Sequence, residues 1–154
     1  MRIAQLVSNV HPVDAKSTHA IYSHTAILSD SFTDKGHNVT LFASSDSDTK
    51  AELSGFPPTD VQCSDLSESV RRHYTHSLVS QCYERSAEFD IIHSHFTLLS
   101  SFYSNLVETP TISSVHTTIT EELKPLLKRY KNNNYISFSL AQRQQLPELN
   151  WVAN

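Results

Sequence analysis

Apolar residues occur along the chain in short pulses separated by stretches of helical period. Ile-Ala-Gln-Leu-Val, within Arg2 to Val7, predicts a buried first strand. Ser8 to Lys16 reads as a loop, broken at Pro12, with Ser17 or Thr18 placed to cap the next helix. Ala20, Ile21, His24, Ile27, Leu28, Ser31 and Phe32 trace one face of that helix. It ends at Lys35-Gly36-His37, a cation followed by a glycine. Asn38 to Ala43 is a second strand, so strand, helix and strand form one right-handed crossover unit.

Ser44 to Asp48 is a polar loop whose aspartates read as turn and capping chemistry, and Ser54 to Pro58 is another break. Asp65 to Glu88 reads as a long helix with Leu66, Val70, Tyr74, Leu78, Cys82 and Tyr83 inward. Two short apolar pulses follow, Phe89 to Ile92 and Pro110 to Val115. Phe96, Leu99, Phe102, Tyr103 and Leu106 recur between them at helical spacing. Ile119 to Tyr130 is a helix with acids early and bases late, kinked at Pro125 or starting near it. Tyr135 to Phe138 is a strand, Ser139 caps a short helix through Gln145, and Trp151 to Ala153 starts another strand. These elements predict an α/β fold: a Rossmann-like, doubly wound parallel sheet of about six strands with helices on both faces.

Composition narrows the function. At 154 residues the chain fits one domain, and 38% hydrophobic with 18% charged residues excludes a disordered chain. No apolar run approaches the ~20 residues that span a bilayer, and no signal-peptide core is visible, so a cytoplasmic protein is expected. A net charge of −4 leaves no basic excess for duplex nucleic acid. Cys63 and Cys82 lack metal-ligand spacing and read as reduced thiols. Nine histidines is a high count, whereas two glycines, Gly36 and Gly55, compare with about eleven at average usage. A phosphate-cradling loop needs glycine for close backbone approach, and this chain has almost none.

The histidines fall where such folds keep their ligands. His93 and His95 follow one predicted strand and His116 follows the next. In open α/β sheets, ligands bind outside the carboxyl ends of the strands. His93 and His95 are two apart and share a face. The pair could take zinc, but four ligands are wanted and no cysteine or acid stands at suitable spacing, so no metal site is expected. His11, His19 and His24 are candidates for the rim, with His24 the more simply read as an exposed helix residue.

Several segments together resemble the N-terminal half of a family 4 glycosyltransferase. They are Met-Arg-Ile-Ala-Gln-Leu-Val-Ser, Lys-Gly-His-Asn-Val-Thr-Leu-Phe-Ala-Ser, Phe-Asp-Ile-Ile-His-Ser-His-Phe, Glu-Thr-Pro-Thr-Ile and Ala-Gln-Arg-Gln-Gln-Leu-Pro-Glu-Leu-Asn-Trp-Val-Ala. The resemblance is collinear over nearly the whole chain. It implies one half of the GT-B fold, in which two Rossmann-like domains face each other across a cleft. The N-terminal half holds the sugar or glycan acceptor, and the other half holds most of the nucleotide-sugar donor. The implied transfer retains anomeric configuration, needs no bound metal and uses the nucleotide-sugar as substrate rather than cofactor.

Carried over by position, His116 matches the family histidine beside the reacting sugar. His93, His95 and Phe96 fall on the acceptor side, with His11 and His19 on the rim. Ser139 matches the serine that opens the helix after the following strand, and Leu140 stands where related sequences often carry aspartate. The family's Gly-Gly-Thr-Glu loop is here His19-Ala20-Ile21-Tyr22, and the glycine expected after His116 is Thr117. The donor domain is expected to lie beyond Asn154, as a further segment or a partner chain. The resemblance thus implies a single domain over residues 1–154, the acceptor-binding half of a transferase and inactive alone. The missing glycines favour an alternative: a non-catalytic relative that binds a glycan or a protein. A zinc hydrolase built on the histidines is a third, weaker reading. An uncovered cleft face would favour homo-oligomers.

Overall fold

The computed structural model describes residues 1–55 and 65–154. The Pro57-Pro58 break and Cys63 lie outside the described residues. Seven strands form one all-parallel sheet: β1 (Arg2–Leu6), β2 (Asn38–Ala43), β3 (Glu52–Gly55), β4 (Ile91–Ser94), β5 (Thr111–Ser114), β6 (Asn134–Ile136) and β7 (Asn150–Ala153). Their order is β3-β2-β1-β4-β5-β6-β7, so the direction of winding reverses between β1 and β4. The expected Rossmann-like class is the observed one. The strand absent from the expectation is β3, a four-residue edge strand with Leu53 as its one large apolar residue. Too short and too polar to stand out by period, it is placed by pairing with β2.

Alternation along β1 assigns the two faces. Ile3 and Val7 pack with Tyr22 and Ala26 of α1 (Ala20–Asp34), whereas Ala4 and Leu6 pack with Leu78, Val79 and Cys82 of α2 (Glu68–Glu84). Cys82 is free and fully buried, and burial pushes its thiol up to about 12, which suits a core residue rather than a nucleophile. A third core gathers Val115, Leu127, Tyr135, Leu146 and Leu149 around α4 (Lys124–Arg129) and α5 (Leu140–Gln145).

Several helices differ from expectation. The buried stripe of α1 is Tyr22, Thr25, Ala26 and Ser29, not the Ile21–Ile27–Leu28 side. Small residues let the helix lie close on the sheet, and Ile27 is left 56% exposed. Neither Ser17 nor Thr18 caps it: the N-cap is His19, without a side-chain bond. The far end is as read: Gly36 adopts φ 81°, its N–H donates to Thr33 and that of His37 to Phe32, at 2.9 and 3.1 Å, a Schellman closure. The long helix starts later than expected, capped by Ser67, and ends at Glu84 before a 3₁₀ turn at Ser86–Glu88. Between β4 and β5 the apolar period yields just one turn, α3 (Ser101–Ser104), with Leu106 exposed. The helix α4 begins at Lys124, next to Pro125 as the proline reading allowed, and Ser139 caps α5 by accepting from Gln142 N at 3.1 Å.

Both glycines are spent on the scaffold. Gly36 supplies the left-handed turn. A Cβ on Gly55 would lie 2.6 Å from the backbone of Ser45, so glycine lets β3 pass beside the β2–β3 loop.

Candidate functional site

Each strand bordering the winding reversal delivers a polar group to the α1 side of the sheet. Ile91 packs on the α1 side, so His93, two residues on, shares that side. The β4–β1 ladder runs one residue further, with His95 N donating to Leu6 O at 2.8 Å, and seats His95 at the sheet's carboxyl edge. Val115 N donates likewise to Ile136 O at 3.0 Å, which places His116 next to it. From β1, Gln5 lies fully buried beneath them.

These groups meet. His95 Nδ1 is 2.9 Å from His116 Nε2, and His95 Nε2 is 3.0 Å from Gln5 Oε1. His93 Nε2 is 2.8 Å from the Ser114 hydroxyl, and the His93 and His95 rings are 4.6 Å apart. The expected histidines of two separate strand ends thus form one cluster. His24 joins it from α1, with ring centroids 5.9 Å from His95 and 6.1 Å from His116. It is exposed, as its sequence position suggests, but on the helix edge that overhangs the cluster. Phe138 completes the group, 4.6 Å from His116 and 5.7 Å from His24.

His93, His95 and His116 are held neutral at pH 7. Burial, then the neighbouring imidazoles of His24 and His116, lowers His93 to about 4. Burial and then His24 lower His116 to about 4 as well. His95 is held well below the usual imidazole range, first by burial and then by His93. At neutral pH each ring therefore carries one N–H and one bare nitrogen.

A cavity of about 490 Å³ opens beside these rings, lined by Ala20, His24, His116, Thr117, Thr118, Phe138, Ser139, Gln142 and Gln145 among others. Its far wall is tied to the sheet by two glutamines. Gln142 Nε2 donates to Val115 O at 2.8 Å and Thr117 O at 3.1 Å, while its Oε1 accepts from Phe138 N at 3.0 Å. Gln145 Oε1 accepts from Ile119 N at 3.1 Å. These bonds fix the loops that carry His116 and Phe138. A second cavity, about 550 Å³ and mainly apolar, runs over the sheet face of Ile3, Ile91, Ile112 and Ile136 and shares His24 and Phe138 with the first.

Three candidates fall elsewhere. His11 and His19 stack on each other with centroids 4.3 Å apart, edge-on to Tyr22, rather than joining the four-imidazole group. Phe96 packs partly buried against the α2-side core, because a further residue along from His95 alternates to the other side. Ser139 lines the first cavity as the α5 cap. Among the described residues no group of three or more His, Cys, Asp or Glu could hold a metal ion, and no helix is long and apolar enough to cross a membrane.

The sequence reading did not single out Gln5, Phe138 or Gln142. A signal for Gln5 was present: it is the one polar residue inside Ile-Ala-Gln-Leu-Val. A buried amide there is costly unless paired, which marks it as a candidate for a polar contact.

A sheet that reverses winding at β1 and β4, with its polar cluster at the carboxyl edge of that reversal, has the arrangement in which open α/β folds bind ligands. The family model described as Glycosyltransferase Family 4 matches residues 23–146, well over half of the chain, and the chain belongs to that family. No curated protein matches it.

Proposed function

We propose that this chain is the acceptor-side half of a glycosyl transfer cleft, with His24, His116, Phe138 and Ser139 forming its sugar-facing wall. The observation that carries the reading is the cavity in which the neutral His116 imidazole and an aromatic ring stand beside threonine and serine hydroxyls at the carboxyl edge of the sheet. Neutral imidazole accepts or donates to sugar hydroxyls without the cost of burying charge. An aromatic face suits the apolar side of a pyranose ring. In this reading the donor nucleotide-sugar is gripped mainly by a second domain or partner chain. The transfer is retaining, and the chain is catalytically silent alone. His116 sits next to the reacting sugar, with His93 and His95 supporting it from beneath.

A specific observation favours a second reading, a non-catalytic glycan-binding relative. Both glycines serve the scaffold, at Gly36 and Gly55, and the β1–α1 loop has none with which to approach a diphosphate. Both readings place a saccharide in the same cavity. Screening the chain and His116→Ala against an immobilised glycan panel tests what they share. Selective glycan retention by the wild type, reduced at least tenfold in the variant, supports the cavity as a sugar site. Equal retention by both would contradict it.

A further inference from the structure

The strongest unexplained feature is a buried glutamine that satisfies its neighbour and not itself. Gln5 Oε1 faces His95 Nε2 at 3.0 Å, while Gln5 Nε2 is buried without a hydrogen-bond partner. An amide oxygen can only accept, so His95 Nε2 must carry the proton of that bond. His95 is neutral in its burial, which leaves its Nδ1 bare. A bare Nδ1 can only accept from His116 Nε2, 2.9 Å away. His116 therefore holds its proton on Nε2 and presents an unprotonated Nδ1, for which no described residue supplies a partner. His116 lines the 490 Å³ cavity.

We propose that Gln5 is a positioning residue: acting through His95, it fixes the tautomer of His116 so that Nδ1 is an acceptor for a ligand hydroxyl. The inference rests on the sugar-cleft reading for the identity of that ligand, but its direction of protonation does not. The chain runs from a fully buried β1 side chain, across β4, to the end of β5. The protonated nitrogen of His116 is thereby set in the way a hydrogen bond at one imidazole nitrogen commonly fixes the tautomer. The hydroxyl of an acceptor, hydrogen-bonded to Nδ1, would be held with its proton directed at His116 and its oxygen turned outward.

Nitrogen-15 NMR of the histidine rings at neutral pH reads this directly. The proton shared by His95 and His116 is expected to show its one-bond coupling to His116 Nε2, with His116 Nδ1 at the unprotonated position. One-bond coupling to His95 Nδ1 would overturn the proposal. Gln5→Met, similar in volume and lacking the acceptor, is expected to shift His116 Nδ1 toward the protonated position, and an unchanged shift in a folded variant would overturn it. His95→Phe breaks the relay one link later and is expected to give the same shift. The wild-type coupling decides the matter even where a variant does not fold. Adding a saccharide separates the two ideas. The expected coupling without any sugar response upholds the relay and removes the sugar reading, whereas a sugar response with the proton on His95 does the reverse.

Discussion

His95 and His116 stand 21 residues apart in sequence, at the ends of neighbouring parallel strands, with facing ring nitrogens 2.9 Å apart. Neither strand contributes much by itself. Each is four residues long, and each is held in register by its neighbours, His93 with Ile112 and Ser113 beside Tyr135. The contact exists because the sheet is parallel and both chains leave it at the same edge.

Burial of these imidazoles predicts a pH dependence of stability. His93 and His116 have folded-state values near 4, below the ~6.5 of an unfolded histidine. The unfolded chain then binds more protons between those limits, so stability falls as pH drops from about 6.5 to about 4. The loss at pH 5 is on the order of 2 kcal/mol for buried His93 and smaller for the more solvated His116. Urea unfolding at pH 7 and pH 5 measures it. His93→Asn is expected to flatten the dependence, and a profile unchanged by that substitution would show that the imidazole is not the cause.

Electrostatic crowding gives a second expectation. After burial, His24 is the leading cause that lowers both His93 and His116. In His24→Ala both are expected to titrate at higher pH than in the wild type, as followed by ring-proton NMR. Since His24 lies on the exposed edge of α1, global stability at pH 7 should change little.

The two glycines are predicted to differ in sensitivity. Gly36→Ala places a side chain at φ 81° in open space and is expected to cost about 1 kcal/mol. Gly55→Ala drives a methyl into the Ser45 backbone and is expected to cost more, read as the larger fall in denaturation midpoint.

For catalysis, the expectation is silence. The purified chain should neither transfer nor hydrolyse uridine or guanosine diphosphate sugars. Calorimetry with the same donors should show affinity no tighter than millimolar. Turnover by the chain alone would contradict the half-cleft reading.

Much of this was legible in the sequence. The β1–α1–β2 crossover, the α5 helix capped by Ser139 and the three strand-end histidines follow from local pattern and turn chemistry, which the structure respects. What was not legible depends on packing between distant segments. The rotation of α1 is one case: Ile27 and Leu28 are more apolar than Thr25 and Ser29, yet the small pair faces the sheet because it permits closer approach. The helical period read between Phe96 and Leu106 yields one turn only: Phe96, Leu99 and Tyr103 pack on the α2 side, whereas Phe102 and Leu106 are exposed. The site was half visible for the same reason. Strand ends predict where His93, His95 and His116 emerge, whereas His24 and Phe138 reach them through the seating of α1 and the loop after β6. His11 and His19 are close in sequence to the site and still find each other first.

The most direct measurement is chemical-shift mapping of the chain during titration with the saccharides it retains. The account predicts saturable shifts centred on His24, His116, Thr117, Phe138 and Ser139, abolished in His116→Ala while the variant's remaining spectrum is preserved. Shifts centred on His11 and His19 instead, or saturable binding that survives loss of the His116 ring, would contradict it.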